Sequence, residues 1–151
     1  IIIPAEMRGG EALTAVEAGR TGHTIITTLH ANSAIDAYNR ILSMCVSTGV
    51  RLSENKLLEF ILEAMPVIAF KRQLPDGRRV YDEIFEGQNI ENGKVTGRTL
   101  FRYEIKENIY DDNGNITNVI GEHRQMNKMS DALLTKLKYG GAAQENLKKF
   151  M

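Results

Sequence analysis

The 151 residues, 42% hydrophobic and 25% charged, match an ordinary soluble globular domain and suffice for one compact unit with a core. Lys+Arg and Asp+Glu both number 19, so the formal net charge is zero and no global field draws the chain to nucleic acid or acidic lipid. The apolar runs are only a few residues long, whereas crossing a bilayer takes roughly 18 to 20, so any membrane link runs through partners.

Ile1-Ile2-Ile3 opens the chain without an initiator Met, as a β-branched run of the kind that forms buried central strands with neighbours on both sides. The sequence is therefore expected to start within a fold. Gly9-Gly10-Glu11 leads into a short helix over Ala12 to Ala18, which Gly19 or Gly22 ends. Thr24 to Leu29, β-branched almost throughout, reads as a second buried strand.

Ser33 and Asp36 have capping-box spacing, and Ala34, Ala37, Tyr38, Ile41, Met44 and Cys45 recur at helical intervals, predicting a helix from about Ser33 to Thr48. Within that pattern the single cysteine reads as a small buried side chain; it has no disulfide partner, which fits a reducing, cytoplasmic setting. Ser53 caps the next helix, in which Leu57, Leu58, Ile61, Leu62 and Met65 form one apolar face before Pro66.

From Val67 alternation replaces the helical period. The turn signals Pro75-Asp76-Gly77, Asn92-Gly93 and Asp112-Asn113-Gly114-Asn115 divide the stretch into an antiparallel β-meander reaching about His123. The first turn, between Lys71-Arg72 and Arg78-Arg79, reads as a solvated hairpin end. Ser130 opens a last helix with Leu133, Leu134 and Leu137 that Gly140-Gly141 stops, and an amphipathic tail runs through Leu147 and Phe150. No repeat or linker interrupts the pattern, so one domain is expected: an α/β part over 1–66, the meander over 67–128 and a short helical C-terminus over 129–151.

Glu6 directly follows an apolar strand, and ligands of open α/β sheets sit beyond the carboxyl ends of the strands. An acid there can hold a Mg²⁺-bound water or position an attacking one, and Arg8, two residues on, can neutralise phosphate charge. His23 precedes the second strand and His30 follows it; six residues of strand span roughly 20 Å, so the two histidines stand at opposite ends and share no metal. His30 is the better placed of the two to meet a phosphate or relay a proton. For both, a hydrogen bond to a loop carbonyl is the competing structural role. Cys45, His23, His30 and His123 lack the paired short spacings of a zinc site, and no nucleophile elbow supports serine chemistry.

Taken together, Ile1-Ile2-Ile3-Pro4-Ala5-Glu6-Met7-Arg8-Gly9-Gly10-Glu11-Ala12 resembles the Walker B segment of secretion ATPases, a hydrophobic strand followed by Gly-Glu-x-Arg-Gly-x-Glu. Thr21-Gly22-His23 with Thr27-Thr28-Leu29-His30-Ala31-Asn32-Ser33-Ala34 resembles their His box, and Arg40 falls where the family has an arginine in the following helix. The chain is thus similar to the C-terminal portion of hexameric ATPases of the type II/type IV secretion superfamily, and most to the branch that assembles tight-adherence (Flp) pili. Ala5 stands where the family usually has glycine, adding a methyl where backbone approaches a ligand.

The resemblance implies a RecA-like P-loop ATPase domain that uses ATP and Mg²⁺ in a cytoplasmic homo-hexamer, powering secretion or pilus assembly at an inner-membrane platform protein. It makes Glu6 the Walker B carboxylate, contacting Mg²⁺ through water, and His30 and His23 the His-box histidines, with Arg8 and Glu11 as nucleotide-side companions. No Gly-x-x-x-x-Gly-Lys-Ser/Thr loop occurs in these residues, nor the family's acidic box, so the isolated chain is expected to be inactive. Two other readings remain. One is a non-catalytic module for oligomerisation or partner binding built on the meander and tail; the other is a RecA-like nucleic-acid motor, which the neutral charge and paired histidines disfavour.

Overall fold

In a computed structural model, residues 1–148 are described, so Phe150 of the expected tail lies outside the described residues. The chain is mixed α/β, with helices and a four-stranded antiparallel sheet, and it divides into two compact units. One comprises Ile1–Ile68 with Gly87–Arg98, the other Ala69–Glu86 with Thr99–Met151.

The first unit begins with the two apolar segments. They run parallel, because Ile2 N donates to Thr24 O at 2.8 Å and Ile26 N to Ile2 O at 3.1 Å, closing a bridge between Ile2 and Ile25. Helix α1 (Glu11–Arg20) is the crossover between them. The expectation of two buried strands fails here: Ile1, Ile3 and Ile26 are 82%, 67% and 54% exposed. β-branched parallel strands are buried when further strands flank them and helices cover both faces. Among the described residues these segments pair only with each other.

Helices α2 (Ala34–Val46) and α3 (Glu54–Ala64) complete the unit, and α1, α2 and α3 pack against one another. The predicted caps form. Ser33 Oγ accepts from Asp36 N at 3.0 Å, satisfying an amide that the first turn leaves open, while the Asp36 carboxylate accepts from Asn32 N at 3.0 Å, one residue before the cap. Ser53 Oγ accepts from Lys56 N at 3.3 Å. Helix α2 stops at Val46 rather than Thr48 because the backbone closes a turn there, with Gly49 at φ +75°. Tyr38, Ile41, Leu57, Leu58 and Ile61 are wholly buried. Each such side chain contributes about 1.5 to 3 kcal/mol relative to exposure. The Tyr38 hydroxyl faces the carbonyls of Met65 and Pro66 at 3.2 and 3.1 Å. Only glycine fits at position 87, since a Cβ there would lie 2.5 Å from Leu62 and 2.7 Å from the Tyr38 hydroxyl. Cys45 is buried as expected, and burial pushes its thiol up to about 11, which makes it unreactive.

The meander consists of β1 (Val67–Gln73), β2 (Arg79–Glu91), β3 (Lys94–Tyr110) and β4 (Ile116–Gln125), neighbours in that order. The Asn92-Gly93 link has both residues at positive φ, 52° and 73°, the two-residue turn that its sequence predicts. In the second unit Leu74, Tyr103 and Val119 form a core cluster with Val80 and Ile116 packed on it. His123 reaches the Tyr81 carbonyl at 2.9 Å and meets the edge of the Tyr103 ring, a structural role.

Pro75, Gly77, Arg78 and Arg79 are exposed, as expected of a solvated hairpin end, but Asp76 anchors the turn from within. The Asp76 side chain is 3% exposed and its carboxylate accepts from Val119 N at 2.8 Å and from Arg78 N at 3.1 Å, with the Arg78 guanidinium at 2.6 Å. Arg78 also reaches the Val119 carbonyl, so one acid and one arginine tie this turn to β4. Glu86, 2% exposed, similarly accepts from Ser130 N at 3.1 Å and from the Ser130 hydroxyl. Ser130 is the N-cap of α4 (Asp131–Tyr139), its hydroxyl accepting from Leu133 N at 3.1 Å, so the buried acid anchors the start of that helix. A short α5 (Gln144–Leu147) follows.

The hydrogen bond from Arg78 holds the Asp76 carboxyl below the usual aspartate range. Between its folded and unfolded pKa values the unfolded chain binds more protons, so this contribution to stability is complete above the ordinary aspartate range and is lost as pH falls through the lower folded value. Asp76→Asn should therefore destabilise the chain at neutral pH and do so less at pH 3, as measured by denaturant midpoints. Equal destabilisation at both pH values would contradict the assignment.

Candidate functional site

The parallel pairing of 1–6 with 24–30 brings the carboxyl ends of the two segments together. Met7 N donates to Thr28 O at 2.8 Å, and the Thr28 hydroxyl donates to Ala5 O at 2.7 Å, which sets the register at the Glu6 end. Met7 points inward and is 2% exposed, so its neighbours Glu6 and Arg8 point the other way. Glu6, Met7, Arg8, His30 and Arg40 line a cleft of about 250 Å³. Ala5 is not among the lining residues, so its added methyl does not narrow the cleft.

Both oxygens of Glu6 are engaged. Oε2 accepts from the Arg8 guanidinium at 2.7 Å, and Oε1 lies 3.3 Å from His30 Nε2. The Arg8 hydrogen bond, supported by the charges of Arg8 and His30, holds the Glu6 carboxyl below the usual glutamate range against the opposing effect of burial. Reciprocally, Glu6 raises the pKa of Arg8. The His30 contact is an ion pair only when the ring is protonated. The His30 side chain is 90% exposed and that of Arg8 77%, so water and salt screen both contacts and either can be exchanged for a ligand at small cost. Two arginines facing one carboxylate leave the cleft cationic, which suits an anion such as phosphate.

The other expected residues are placed differently. Glu11, the first residue of α1, turns back along the chain: its Oε1 accepts from Arg8 N at 2.5 Å and Gly9 N at 3.0 Å. Those amides lower its pKa, and its carboxylate does not line the cleft. His23 follows α1 as an exposed loop residue whose N–H donates to Ala18 O at 3.1 Å. It precedes Thr24 at the Ile2 end of the paired segments, so the structure brings His30 to Glu6 and leaves His23 outside the cleft. Arg40 joins from α2 on the strength of its helical position. Met7 carries a local signal of its own: an apolar residue between two charged ones in an extended segment faces inward.

Mg²⁺ is bound by one or two carboxylates together with phosphate oxygens and water. Glu6 is the one carboxylate lining the cleft, and among the described residues no group of three or more His, Cys, Asp or Glu could hold a metal ion. The residues present therefore fit Mg²⁺ carried by a nucleotide, with Glu6 meeting a coordinated water; they do not form an all-protein cage.

The family model described as type II/IV secretion system protein matches residues 1–131. The probable conjugal transfer protein TrbB of Sinorhizobium fredii is 33% identical over 106 residues, covering 70% of this chain and 29% of that protein. The conjugal transfer protein TrbB of Rhizobium radiobacter is 36% identical over 84 residues, 55% of this chain and 25% of that protein. The type II secretion system protein E of Dickeya dadantii is 31% identical over 102 residues, 67% of this chain and 19% of that protein. The chain spans less than a third of the length of these curated relatives.

Proposed function

The chain belongs to the type II/IV secretion system protein family, and from that premise we propose that it supplies one half of an ATP-hydrolysing site in a secretion or conjugation motor. The observation that carries this reading is the Glu6 carboxylate, kept ionised at the carboxyl ends of two parallel segments and flanked by Arg8 and His30. Hydrolysis of a phosphoanhydride asks little covalent chemistry of the protein; it needs a water held in line and charge on the phosphoryl oxygens offset.

In this reading Glu6 orients the attacking water or a metal-bound one, and its low pKa keeps it an acceptor at every physiological pH. Arg8 and Arg40 meet phosphate oxygens, Arg8 exchanging its bond to Glu6 for the nucleotide. His30 relays the arrival of phosphate to the second segment. Mg²⁺, when bound with the nucleotide, draws charge from the phosphate oxygens. The other half, the amide-rich loop and its lysine, is a type of sequence these 151 residues do not contain. The chain by itself is accordingly proposed to turn over no ATP.

The wider assembly is also a proposal. A ring of six identical subunits at the cytoplasmic side of a membrane platform protein fits the family, and no helix among the described residues is long and apolar enough to cross a membrane. The names of the relatives point to conjugal transfer and type II secretion. The tight-adherence pilus assignment rests on the layout of β1 to β4 followed by α4 and α5.

In the complete motor, Glu6→Gln should leave ATP binding intact and lower turnover by roughly 10²-fold or more, since the amide keeps the shape and loses the charge. His30→Ala should reduce turnover more than His23→Ala, because only His30 reaches the cleft. Unimpaired hydrolysis by Glu6→Gln, measured as phosphate release at saturating ATP, would remove Glu6 from the reaction.

A further inference from the structure

Family resemblance places Glu11 on the nucleotide side, but its geometry is that of a clamp. Its carboxylate does not line the cleft and accepts from two successive backbone amides, Arg8 N at 2.5 Å and Gly9 N at 3.0 Å. These two amides belong to the loop that precedes the N-cap Gly10, not to the first turn of α1, so the bonds fix the loop itself. The loop between Glu6 and α1 is thus held at two points. At one, Met7 is buried and its N–H bonded to Thr28 O; at the other, Glu11 grips the amides of Arg8 and Gly9. Between these points the Arg8 side chain emerges and places its guanidinium on Glu6 Oε2 at 2.7 Å.

We propose that Glu11 is a positioning residue: it fixes the Arg8 backbone so that Arg8 and Glu6 are presented to the cleft in a set geometry, and it makes no contact with nucleotide or metal. This rests on the reading of Glu6 as the residue that orients water. Without the clamp the loop regains freedom around Gly9 and Gly10, the most permissive backbone in the segment, and the Glu6 carboxylate loses its fixed direction. Displacing a catalytic group by about 1 Å costs as much as 10²-fold in rate, while ligand binding elsewhere in the site is little affected. Glutamine keeps a carbonyl oxygen that can accept from both amides, so it should preserve the clamp. Alanine cannot.

The test uses the complete motor with four variants, Glu11→Ala, Glu11→Gln, Glu6→Gln and the Glu6→Gln/Glu11→Ala double variant. Circular dichroism confirms folding, a fluorescent ATP analogue measures binding, and phosphate release measures turnover. The expected result is a fall of at least tenfold in kcat for Glu11→Ala with unchanged Mg²⁺ dependence and, through the loosened Arg8, a nucleotide affinity weakened by less than the fall in kcat, recovery of both to within about threefold in Glu11→Gln, and no further loss of kcat when Glu11→Ala is added to Glu6→Gln. Three results would overturn the proposal: weakened nucleotide or Mg²⁺ binding in both Glu11 variants, which marks a direct ligand; losses that add fully to those of Glu6→Gln, which mark an independent role; or an unchanged kcat in Glu11→Ala. If Glu11→Ala does not fold, Glu11→Gln carries the same comparison, since a direct charged ligand would lose affinity on neutralisation and a clamp would not. Normal turnover in Glu6→Gln alone would instead refute the underlying reading of the site.

Discussion

The hydrogen bond from Met7 N to Thr28 O sets the geometry of everything that follows in the site. It fixes the register at the carboxyl ends of the two parallel segments, and at that register the residue before Met7 and the residue two after Thr28 face the same space. Glu6 and His30 meet because of this alignment, although 24 positions of chain separate them. A one-residue slip would turn Glu6 inward and Met7 outward, placing a charge in the packed interior and an apolar chain in the cleft. The burial of Met7 and the exposure of Arg8 oppose that slip from both sides.

A second regularity separates the acids that fix backbone from the one in the cleft. Glu11, Asp36, Asp76, Glu86 and Asp111 each accept hydrogen bonds from backbone amides and thereby fix a turn or a helix start. Such a bond satisfies a donor that has no better partner, so it persists. Glu6 is bonded by the side chains of Arg8 and His30, both highly exposed. Those partners can swing to an incoming phosphate without leaving a buried donor unsatisfied, and an acid held this way is free to act on a ligand.

Much of this was legible in the sequence. Capping serines 33, 53 and 130 and the Asn92-Gly93 turn are local signals, each a hydrogen bond or a dihedral preference between residues close in the chain, and the structure realises all four. Glu6 and His30 were identifiable because strand polarity places both at carboxyl ends. What the sequence hid depends on pairing over distance. The β-branched run Ile1 to Ile3 lies exposed because burial of such a strand depends on neighbours that its own residues do not specify. The first turn is exposed as its sequence suggests, but the anchoring of the Asp76 side chain was hidden because its partner Val119 lies 43 residues away. The clamp of Glu11 is short-range, an acid two and three residues after the loop amides it accepts from.

The most direct test of the central claim, that Glu6 is poised to handle water at an ATP phosphate, is a structure of the complete motor with a non-hydrolysable ATP analogue and Mg²⁺. Glu6 is expected within about 2.6 to 3.2 Å of a water that is metal-bound or in line with the γ-phosphate, with Arg8 moved from Glu6 to a phosphate oxygen and His30 on the same side. A γ-phosphate lying toward His23, with Glu6 still closed between Arg8 and His30, would contradict it.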